Sequence, residues 1–542
     1  MKIEECKKVE EKLYERNIVR YGINLNPVVS ISSAALIILF SVYALLNLEQ
    51  ANQLFEQMYD FIVTHLDWVF IISSNFFVLA CLYLALTRLG QVRIGGVDCK
   101  PEFSNFAWYS MLISAGMGIG LMFWAVGEPL HHYMEAPPVF ADADPAFSAM
   151  ATTFYHWGLH PWGIYALMAL GLAFFTYNRK MPLSLRSIFY PLLKEKIYGI
   201  TGDIIDILTV LSVMFGLATS LGLGIQQINS GLDYLVGIGF SVGIQVVLII
   251  IITAIAILSV ISGIHKGVRL LSSLNMFLAA GFMAAIFLLG PTSYIIRLFS
   301  NSIGLYFSSI VQYSSYIAIQ DQAWQSNWTI FYLAWWISWS PFVGMFIARI
   351  SKGRTVRELV LGVLIIPSLL SFFWLSVLGG TAFIVNESLD GSLFAMVQDN
   401  LPTALFEMIS SLNIPVLAEG VRVFLFILAT LLVINYFITS SDSGSLVVDK
   451  ITSGGLLETS RIQRVFWACM EGLLAATLLL IGGEQALMAL QTAVISVGLP
   501  FALILTVMTV SLIKGLQTAY DKQMRVKYQR KFEKLMESRR LN

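Results

Sequence analysis

The chain has 542 residues, of which 57% are hydrophobic and 13% are charged, and its mean hydropathy is +0.74. Soluble domains carry about 25% charged residues, so this composition excludes a soluble globular protein. The net charge is zero, which leaves no bulk electrostatic attraction to nucleic acid.

Twelve apolar runs are long enough to cross a bilayer, which takes about 20 residues of helix. A charged segment, 1–28, precedes the first run and lacks the apolar core of a cleavable signal peptide, so the first span is expected to act as an anchor. The predicted spans are 29–48, 66–87, 106–127, 147–175, 203–229, 241–263, 271–290, 328–348, 358–385, 414–440, 463–482 and 487–513.

Basic residues set the orientation, because cytoplasmic loops accumulate Lys and Arg. Alternate loops are basic, and 32 of the 34 Lys and Arg residues fall on one side, with only Arg297 and Arg422 on the other. Acidic residues collect on that other side, among them Glu135, Asp142, Asp390 and Asp399. The pattern predicts a multi-pass membrane protein with an even number of spans and both termini in the cytoplasm.

Two segments outside the spans have helical patterns. The loop 291–327 is predicted to be extracellular, and its apolar residues suit a helix that lies along the membrane face. The tail 514–542 is basic and is either a solvated cytoplasmic helix or a sensor that rests on anionic lipid. The weak apolar stripe of the tail is formed by Met524, Tyr528, Phe532 and Leu535.

Two spans contain residues that interrupt helices, and they occupy matching places in the chain. Span three has Gly116, Gly118 and Gly120 within five positions, and span eight has Pro341. Paired interruptions of this kind point to the central site of a transporter. The alternative for the glycines is close helix packing, which leaves Gly118 unexplained. The resulting division is 29–105 for two N-terminal spans, 106–290 for the first block of five and 328–513 for the second.

Ionisable residues are nearly absent from the predicted interior of the bundle, since Asp203 and Asp206 lie at a span end and His131 and His132 in an extracellular loop. A proton-driven carrier usually needs an intramembrane relay of such groups, so the sequence disfavours one. The chain also shows no nucleophile with its base, no phosphate-binding loop and no metal-ligand or disulfide spacing of cysteines. An enzyme is therefore not expected, and neither is a resident cofactor.

Aromatic residues concentrate in spans four and eight. Pro161 is expected to bend span four at Trp157, four residues earlier, and Pro341 to interrupt span eight. Trp and Tyr faces attract cations by about 0.5–2 kcal/mol each, and cages of them recognise quaternary ammonium groups. The alternative for each tryptophan is the interfacial belt or plain packing. The clustered residues are Trp157, Trp162 and Tyr165 in span four and Trp335, Trp336 and Trp339 in span eight.

A pair of hydroxyls, Thr439 and Ser440, lies in span ten. Beside an unwound glycine segment, their oxygens could complete the oxygen cage that a small hard cation prefers. The alternative is that both hydroxyls donate to carbonyls of their own helix.

Four segments resemble signature sequences of the betaine/choline/carnitine transporter family. The similarity extends over nearly the whole chain. It implies an all-α membrane protein with twelve transmembrane helices, in which two inverted five-helix repeats of the LeuT-like kind follow two N-terminal helices, and it implies a homotrimer. The four segments are SAGMGIGLMFW (114–124), FYHWGLHPWGIYA (154–166), NWTIFYLAWWISWSPFVGMFIARISKGRTVRE (327–358) and FITSSDSGS (437–445).

The resemblance also implies roles for residues. The box for the trimethylammonium group would be Trp157, Trp162, Tyr165 and Trp336, with Trp335 and Trp339 along the adjoining pathway. The backbone of Gly116, Gly118 and Gly120 would face the substrate's carboxylate. A sodium site would use oxygens at Ser114, Met117, Tyr436, Thr439 and Ser440. Val213 and Leu217 replace threonines of some sodium-coupled members, which leaves a second sodium site open, and Leu333 replaces a common tryptophan.

Together these observations predict a secondary transporter that imports a quaternary ammonium compatible solute by sodium symport for osmoprotection, with glycine betaine as the first candidate. The alternatives are a choline or carnitine carrier, the latter a sodium-independent exchanger, and, from another class, a channel or a receptor. Choline carriers of this family can show Asp at the position of Gly120. Because Gly120 is neutral and no acidic residue is evident nearby in spans three, four or eight, betaine is expected to be preferred over choline.

Overall fold

The computed structural model describes residue 12 and residues 14–140, 143–262, 265–319, 322–413, 418–456 and 458–540. Within these residues, ten helices are long and apolar enough to cross a membrane, or up to twelve if each of two bent helix pairs is one span. The chain is therefore an all-α membrane protein, as predicted. Asp142 and residues 1–11 and 13 of the N-terminal segment lie outside the described residues.

Sixteen helices make up most of the described chain, and each predicted span overlaps at least one of them. They are α1 (Pro27–Leu46), α2 (Leu48–His65), α3 (Asp67–Leu86), α4 (Asn105–Gly116), α5 (Ile119–Met134), α6 (Pro145–Trp157), α7 (Leu159–Ala173), α8 (Ile200–Val236), α9 (Val242–Ser262), α10 (His265–Leu289), α11 (Thr292–Ser315), α12 (Phe331–Ile350), α13 (Val356–Ser388), α14 (Ala418–Thr452), α15 (Arg461–Gly482) and α16 (Ala486–Arg540).

Shorter helical pieces connect these elements. The short α-helices are Leu185–Ile188, Tyr190–Leu193, Ala323–Gln325, Ser392–Asp399 and Ala404–Ser410. Single 3₁₀ turns are found at Arg88–Gln91, Pro138–Phe140, Lys194–Tyr198, Leu401–Thr403 and Gly483–Gln485, and π-helical turns at Phe174–Asn178 and Ser326–Ile330.

A small hairpin before the first span is absent from the sequence prediction. Strands β1 (Ile18–Arg20) and β2 (Ile23–Leu25) pair antiparallel. The two turn residues, Tyr21 and Gly22, both have positive φ, 51° and 76°, as in the tight turns that match strand twist. Asn17 beside the hairpin donates to the carbonyl oxygen of Ser453 at 2.9 Å, so the N-terminal segment is attached to the end of α14.

Two helices lie outside the predicted spans. The helix α11 lies in the loop 291–327, and its axis turns by 109° from the end of α10. Its place along the membrane face stays a prediction. Its buried residues recur every three or four positions where it packs against α6 and α13. The helix α2 was not predicted. It is mostly polar and buries only Ala51, Phe55, Ile62 and Val63, so its sequence lacks the apolar run that identifies a span.

Two interruptions occur where the sequence predicts them. The glycines of span three separate α4 from α5, whose axes differ by 61°. Met117 between them is extended, with φ −87° and ψ 126°. Span four breaks at Gly158, between α6 and α7. Pro161 has no N–H to bond the carbonyl of Trp157, so the first helix ends there.

The predicted interruption of span eight is wrong. The helix α12 continues from Phe331 to Ile350 with Pro341 inside it. Pro341 cannot donate to the carbonyl of Ile337, but the Ser340 hydroxyl donates to that same oxygen at 2.7 Å. Neighbouring hydroxyls satisfy backbone groups freed by proline in membrane helices, so the helix need not open.

The breaks meet near the middle of the bundle. The helix α12 packs mainly against α7 and α16, and the long helix α8 packs mainly against α14. The junctions α4–α5 and α6–α7 therefore face α12 and α14 around one space, which is lined by residues of all these elements.

Candidate substrate and ion site

A cavity of about 300 Å³ lies between the broken span three and helices α7, α12 and α14. This volume is at the lower end of the range for small-molecule sites. All fourteen residues that the sequence assigns to the substrate or to sodium line it: Ser114, Gly116, Met117, Gly118, Gly120, Trp157, Trp162, Tyr165, Trp335, Trp336, Trp339, Tyr436, Thr439 and Ser440.

Four aromatic rings form one wall of the cavity at steep angles to one another. The Trp157 and Trp336 centroids are 4.9 Å apart with planes at 68°, and those of Trp162 and Tyr165 are 5.3 Å apart at 81°. Tyr165 meets Trp336 at 6.3 Å and 83°. Rings crossed in this way present several π faces and edges to one small volume, which is the geometry of a cage for an organic cation.

Two further tryptophans stand beside this box in different ways. Trp335 stacks on Trp336 with centroids 4.8 Å apart and planes at 14°, and its indole N–H donates to the Ser220 hydroxyl at 3.1 Å. Trp339 is only partly buried and meets Trp335 edge-on at 6.2 Å. Trp335 therefore supports the ring of Trp336, whereas Trp339 faces the adjoining part of the cavity. Leu333 is buried and is not among the lining residues.

The break in span three exposes backbone groups to the same cavity. The helix α5 begins after Gly118 without a side-chain cap, so the first N–H groups of α5 lack partners within the helix. The positive end of a helix dipole stabilises an anion there by about 0.3–1 kcal/mol. The same break frees carbonyl oxygens at the end of α4, where Ser114 and Met117 line the cavity. The junction can thus serve both a carboxylate and a cation.

The three glycines differ in what surrounds them. A Cβ added to Gly120 would lie 2.9 Å from Trp335 and 3.0 Å from Trp157, and one on Gly116 would lie 3.1 Å from Trp162. A Cβ on Gly118 would meet nothing within 4 Å. Gly116 and Gly120 therefore give the tryptophans room, which neither packing between helices nor unwinding alone explains.

The hydroxyl pair lies across the cavity from the broken helix. Thr439 donates to the carbonyl of Asn435 at 2.8 Å, so the alternative of back-bonding within the helix is realised for this residue. A back-bonded hydroxyl keeps its lone pairs, and Thr439 remains able to accept a cation. Val213 and Leu217 are both buried in α8, and Leu217 packs where a Cβ on Gly444 would lie.

Comparisons with known proteins identify the family of the chain. Residues 28–521 match the model of the BCCT, betaine/carnitine/choline family transporter. The chain belongs to this family.

Several curated members of the family cover nearly the same length. The glycine betaine transporter 1 of Vibrio parahaemolyticus is 45% identical over 511 residues, which are 93% of this chain and 96% of that protein. A glycine betaine/proline/choline transporter of the same organism is 44% identical over 92% of this chain and 91% of its own length. The glycine betaine transporter of Acinetobacter baylyi is 41% identical over 91% of this chain and 74% of that protein.

The BCCT site also contains a carboxylate that the sequence reasoning missed. Glu128 lies in α5, one residue beyond the predicted end of span three, and is fully buried. It accepts hydrogen bonds from the Trp157 indole at 2.7 Å and from the Tyr332 hydroxyl at 2.5 Å. The statement that no acidic residue lies near the box is therefore wrong. A lone Glu within an apolar segment was the available signal.

The two histidines that were assigned to an extracellular loop are corrected as well. His131 and His132 both belong to α5, and His132 is fully buried. Potential ligand atoms of Glu128, His132 and His156 all lie within 4.8 Å of one another. This cluster stands directly behind Trp157, where the residues of α5 and α6 meet.

A second buried carboxylate in this BCCT protein lies in α15. Glu471 accepts a hydrogen bond from the Ser441 hydroxyl at 2.9 Å through Oε2, while no described protein atom bonds Oε1. The expectation of an interior nearly free of ionisable groups is wrong, because Glu128 and Glu471 are both fully buried. A proton-driven carrier is therefore no longer disfavoured by a lack of buried ionisable groups.

Proposed function

We propose that this BCCT protein is a secondary active transporter of the bacterial plasma membrane that imports glycine betaine by sodium symport and serves osmoprotection. The observation that carries the proposal is the single cavity that joins four crossed aromatic rings to an uncapped helix N-terminus. A zwitterion matches both parts of the cavity, with its trimethylammonium group at the aromatic rings and its carboxylate at the helix N-terminus. The names of two relatives, a glycine betaine transporter and a glycine betaine/proline/choline transporter, support a solute of this class.

In the proposed pose the trimethylammonium group lies among Trp157, Trp162, Tyr165 and Trp336. Such a group has no N–H donors, so the ring faces are its main partners, at about 0.5–2 kcal/mol each. The carboxylate then accepts hydrogen bonds from the free N–H groups at the start of α5. Trp335 and Trp339 line the path by which the solute reaches the box.

The proposed sodium site lies between α4 and α14. Its ligands are backbone oxygens near Ser114 and Met117, the carbonyl of Tyr436, and the hydroxyls of Thr439 and Ser440. The lining of one cavity by all five residues supports this assignment. Sodium would then hold the broken helix against α14 and couple its own gradient to the solute.

The architecture proposed for this function has two inverted five-helix repeats after two N-terminal helices, three copies per assembly, and both termini in the cytoplasm. The basic loops on one side of the helices support the orientation. The two blocks of five spans differ at their first span, which is broken in the first block and is the continuous α12 in the second, so the proposal of repeats rests on the family resemblance.

Uptake into sealed vesicles tests this proposal. The full chain, purified and reconstituted, should accumulate labelled glycine betaine against its gradient when sodium is outside, and sodium replacement by potassium should abolish accumulation. Dissipating the sodium gradient with an ionophore is the control for coupling. Saturable accumulation distinguishes a carrier from a channel or a receptor. Counterflow of carnitine without sodium would instead favour the exchanger.

A second candidate for the coupling ion is the proton. The orphaned Oε1 of Glu471 favours it, because a buried carboxylate with a free oxygen is a natural place for a proton in a membrane. Accumulation driven by an inward proton gradient in sodium-free vesicles, and lost in Glu471→Gln, would replace sodium with the proton in the proposal.

A further inference from the structure

The carboxylate of Glu128 lies behind the aromatic box rather than inside it. It is fully buried and does not line the cavity. Its Oε2 accepts from Trp157 and Tyr332, and its Oε1 lies 2.7 Å from Nδ1 of His156. Glu128 therefore contacts one ring of the box directly and is separated from the cargo by that ring.

The second box tryptophan is attached to the same network. The Trp336 indole donates to the backbone carbonyl of His156 at 2.8 Å. His156 also bonds the Thr329 hydroxyl through Nε2 at 3.0 Å. The indole N–H groups of Trp157 and Trp336 thus point away from the cavity into one polar cluster, which leaves the rest of both rings for the cargo.

Hydrogen-bond roles in this cluster are consistent with an ionised carboxylate. If Thr329 donates to Nε2 of His156, then Nδ1 carries the hydrogen and donates to Glu128. The carboxylate then has three donors, from Trp157, Tyr332 and His156, and an ionised carboxylate is an acceptor only. These bonds already occupy both oxygens, so we interpret Glu128 and His156 as members of a hydrogen-bond network. His132 lies beside this network, and neither of its ring nitrogens has a hydrogen-bond partner among the described residues.

We propose that Glu128 determines which cargo the box accepts, by placing a negative charge behind Trp157 that favours permanent cations lacking a carboxylate. The inference rests on the proposed function and assigns a residue to the discrimination between glycine betaine and choline. A zwitterion has no net charge, so a fixed charge one indole away attracts its ammonium and repels its carboxylate. Choline has only the ammonium and gains the whole attraction, since charges are weakly screened in a buried site.

This proposal opposes the exclusion of choline expected from Gly120 alone. A neutral Gly120 does not leave the cation without a counter-charge, because Glu128 supplies one from the other side of the ring. Glu128 acts as a positioning and selectivity residue, since it touches Trp157 and not the cargo.

The test compares glycine betaine and choline in vesicles that contain the full chain. In the native protein choline should inhibit betaine uptake competitively. Glu128→Gln keeps the shape and one acceptor but removes the charge. It should raise the inhibition constant of choline about tenfold, a shift of the size expected for the loss of a nearby buried charge. The betaine KM should change by less than about threefold. Glu135→Gln, the same change at the exposed end of α5, should alter neither.

Two further variants separate charge from ring orientation. Trp157→Phe removes the indole donor and should lower the affinities for betaine and choline to a similar degree. Glu128→Asp keeps the charge and should retain the native ratio of choline to betaine affinity, which is informative even if Glu128→Gln does not reach the membrane.

The outcomes are distinct from those of the proposed function. Absence of betaine uptake in the native protein would overturn the transport proposal itself. The role of Glu128 alone would be overturned if betaine uptake were normal and choline did not compete with it. Equal losses of affinity for betaine and choline in Glu128→Gln would also overturn it. A changed ratio in Glu128→Asp would do the same.

Discussion

The two interrupted spans of the sequence have opposite structures. Span three, with its three glycines, separates into α4 and α5 at an angle of 61°, whereas span eight, with Pro341, remains one helix from Phe331 to Ile350. The first span supplies backbone groups to the cavity and the second supplies aromatic side chains. Residues that disfavour a helix therefore do not have the same consequence at both places.

The difference follows from where the freed backbone groups can go. Pro341 frees one carbonyl, that of Ile337, and the Ser340 hydroxyl bonds it within the helix. At the glycine break several N–H and carbonyl groups lose their partners together, and a polar ligand, an ion or water in the cavity can satisfy them. This opened helix therefore depends on polar partners in the cavity, while a proline next to a serine does not.

The largest effect is expected on the aromatic side of this comparison. Trp336→Ala removes a ring that contacts Trp157 and Tyr165 and the hydrogen bond to His156. Losing one face removes about 1–2 kcal/mol of cation attraction, and the neighbouring rings also lose their support. Betaine uptake should fall to background while the amount of protein in the membrane stays normal.

The control for that variant is Trp68→Ala, which removes a half-exposed tryptophan of α3 far from the box in sequence. It should leave uptake unchanged. Near-native betaine affinity in Trp336→Ala would remove Trp336 from the box and return it to plain packing.

On the backbone side, Gly120→Ala and Gly118→Ala should differ. The methyl group at Gly120 would lie 2.9–3.0 Å from Trp335 and Trp157, both of which are packed rings, whereas Gly118 has extended backbone and open space. We expect Gly120→Ala to raise the betaine KM about tenfold, because overpacking costs about 1–3 kcal/mol. Gly118→Ala should have little effect on the betaine KM. Equal behaviour of the two variants in a KM measurement would contradict the geometry.

The same distances change the meaning of a charge introduced at this position. Gly120→Asp adds the same Cβ before it adds a carboxylate, so its effect on choline would combine displaced tryptophans with charge. Gly120→Ala is therefore its necessary reference. The selectivity argument is better tested at Glu128, where charge can be removed without new atoms.

The ion site provides an intermediate effect. Thr439→Ala with Ser440→Ala removes two oxygens opposite the broken helix, and the sodium concentration for half-maximal uptake should rise severalfold. Thr430→Ala is the matched control, since Thr430 back-bonds to Phe426 in the same helix but does not line the cavity. An unchanged sodium dependence in the double variant would limit both hydroxyls to bonding within α14.

The continuity of α12 at Pro341 can be tested by measuring the melting temperature. Ser340→Ala leaves the Ile337 carbonyl without a partner inside the helix, which costs about 1–3 kcal/mol for a buried group. Adding Pro341→Ala provides the missing N–H, so the double variant should recover the melting temperature that the single variant loses. If Ser340→Ala has the melting temperature of the native protein, the Ser340 hydroxyl does not keep α12 continuous.

Sequence patterns predicted most of the helices, because apolar runs are local signals. Aromatic, glycine and hydroxyl clusters, together with the family resemblance, indicated fourteen of the residues that line the cavity. They did not identify Glu128, whose partners come from α6 and α12, far along the chain. A single carboxylate at a span end looks like a loop residue until those helices enclose it. The continuity of α12 was missed for a related reason, since Ser340 acts through a hydroxyl that helix rules for proline leave out.

The smallest expected effect belongs to the tail. The helix α16 extends beyond the membrane, and Gln523 bonds the backbone of Arg93, with Arg530 paired to Asp98 at 2.6 and 2.8 Å. The loop around Arg93 also bonds the turn after α12 and leads into α4, so the tail contacts the junction of the two spans compared above.

Deleting residues 520–542 should therefore change how uptake responds to osmolality and leave the betaine KM unaltered. The Arg530 guanidinium, by hydrogen bonding, lowers the pKa of Asp98, so their pair is present at neutral pH and is lost as the pH falls through that lowered value. Both groups are exposed, and the contribution to stability is small. Asp98→Arg should alter the osmotic profile as the deletion does, and adding Arg530→Asp should restore it. If all these proteins have identical osmotic profiles of uptake, the contact between the tail and Asp98 does not affect the uptake rate. The basic tail would then be a topology signal alone.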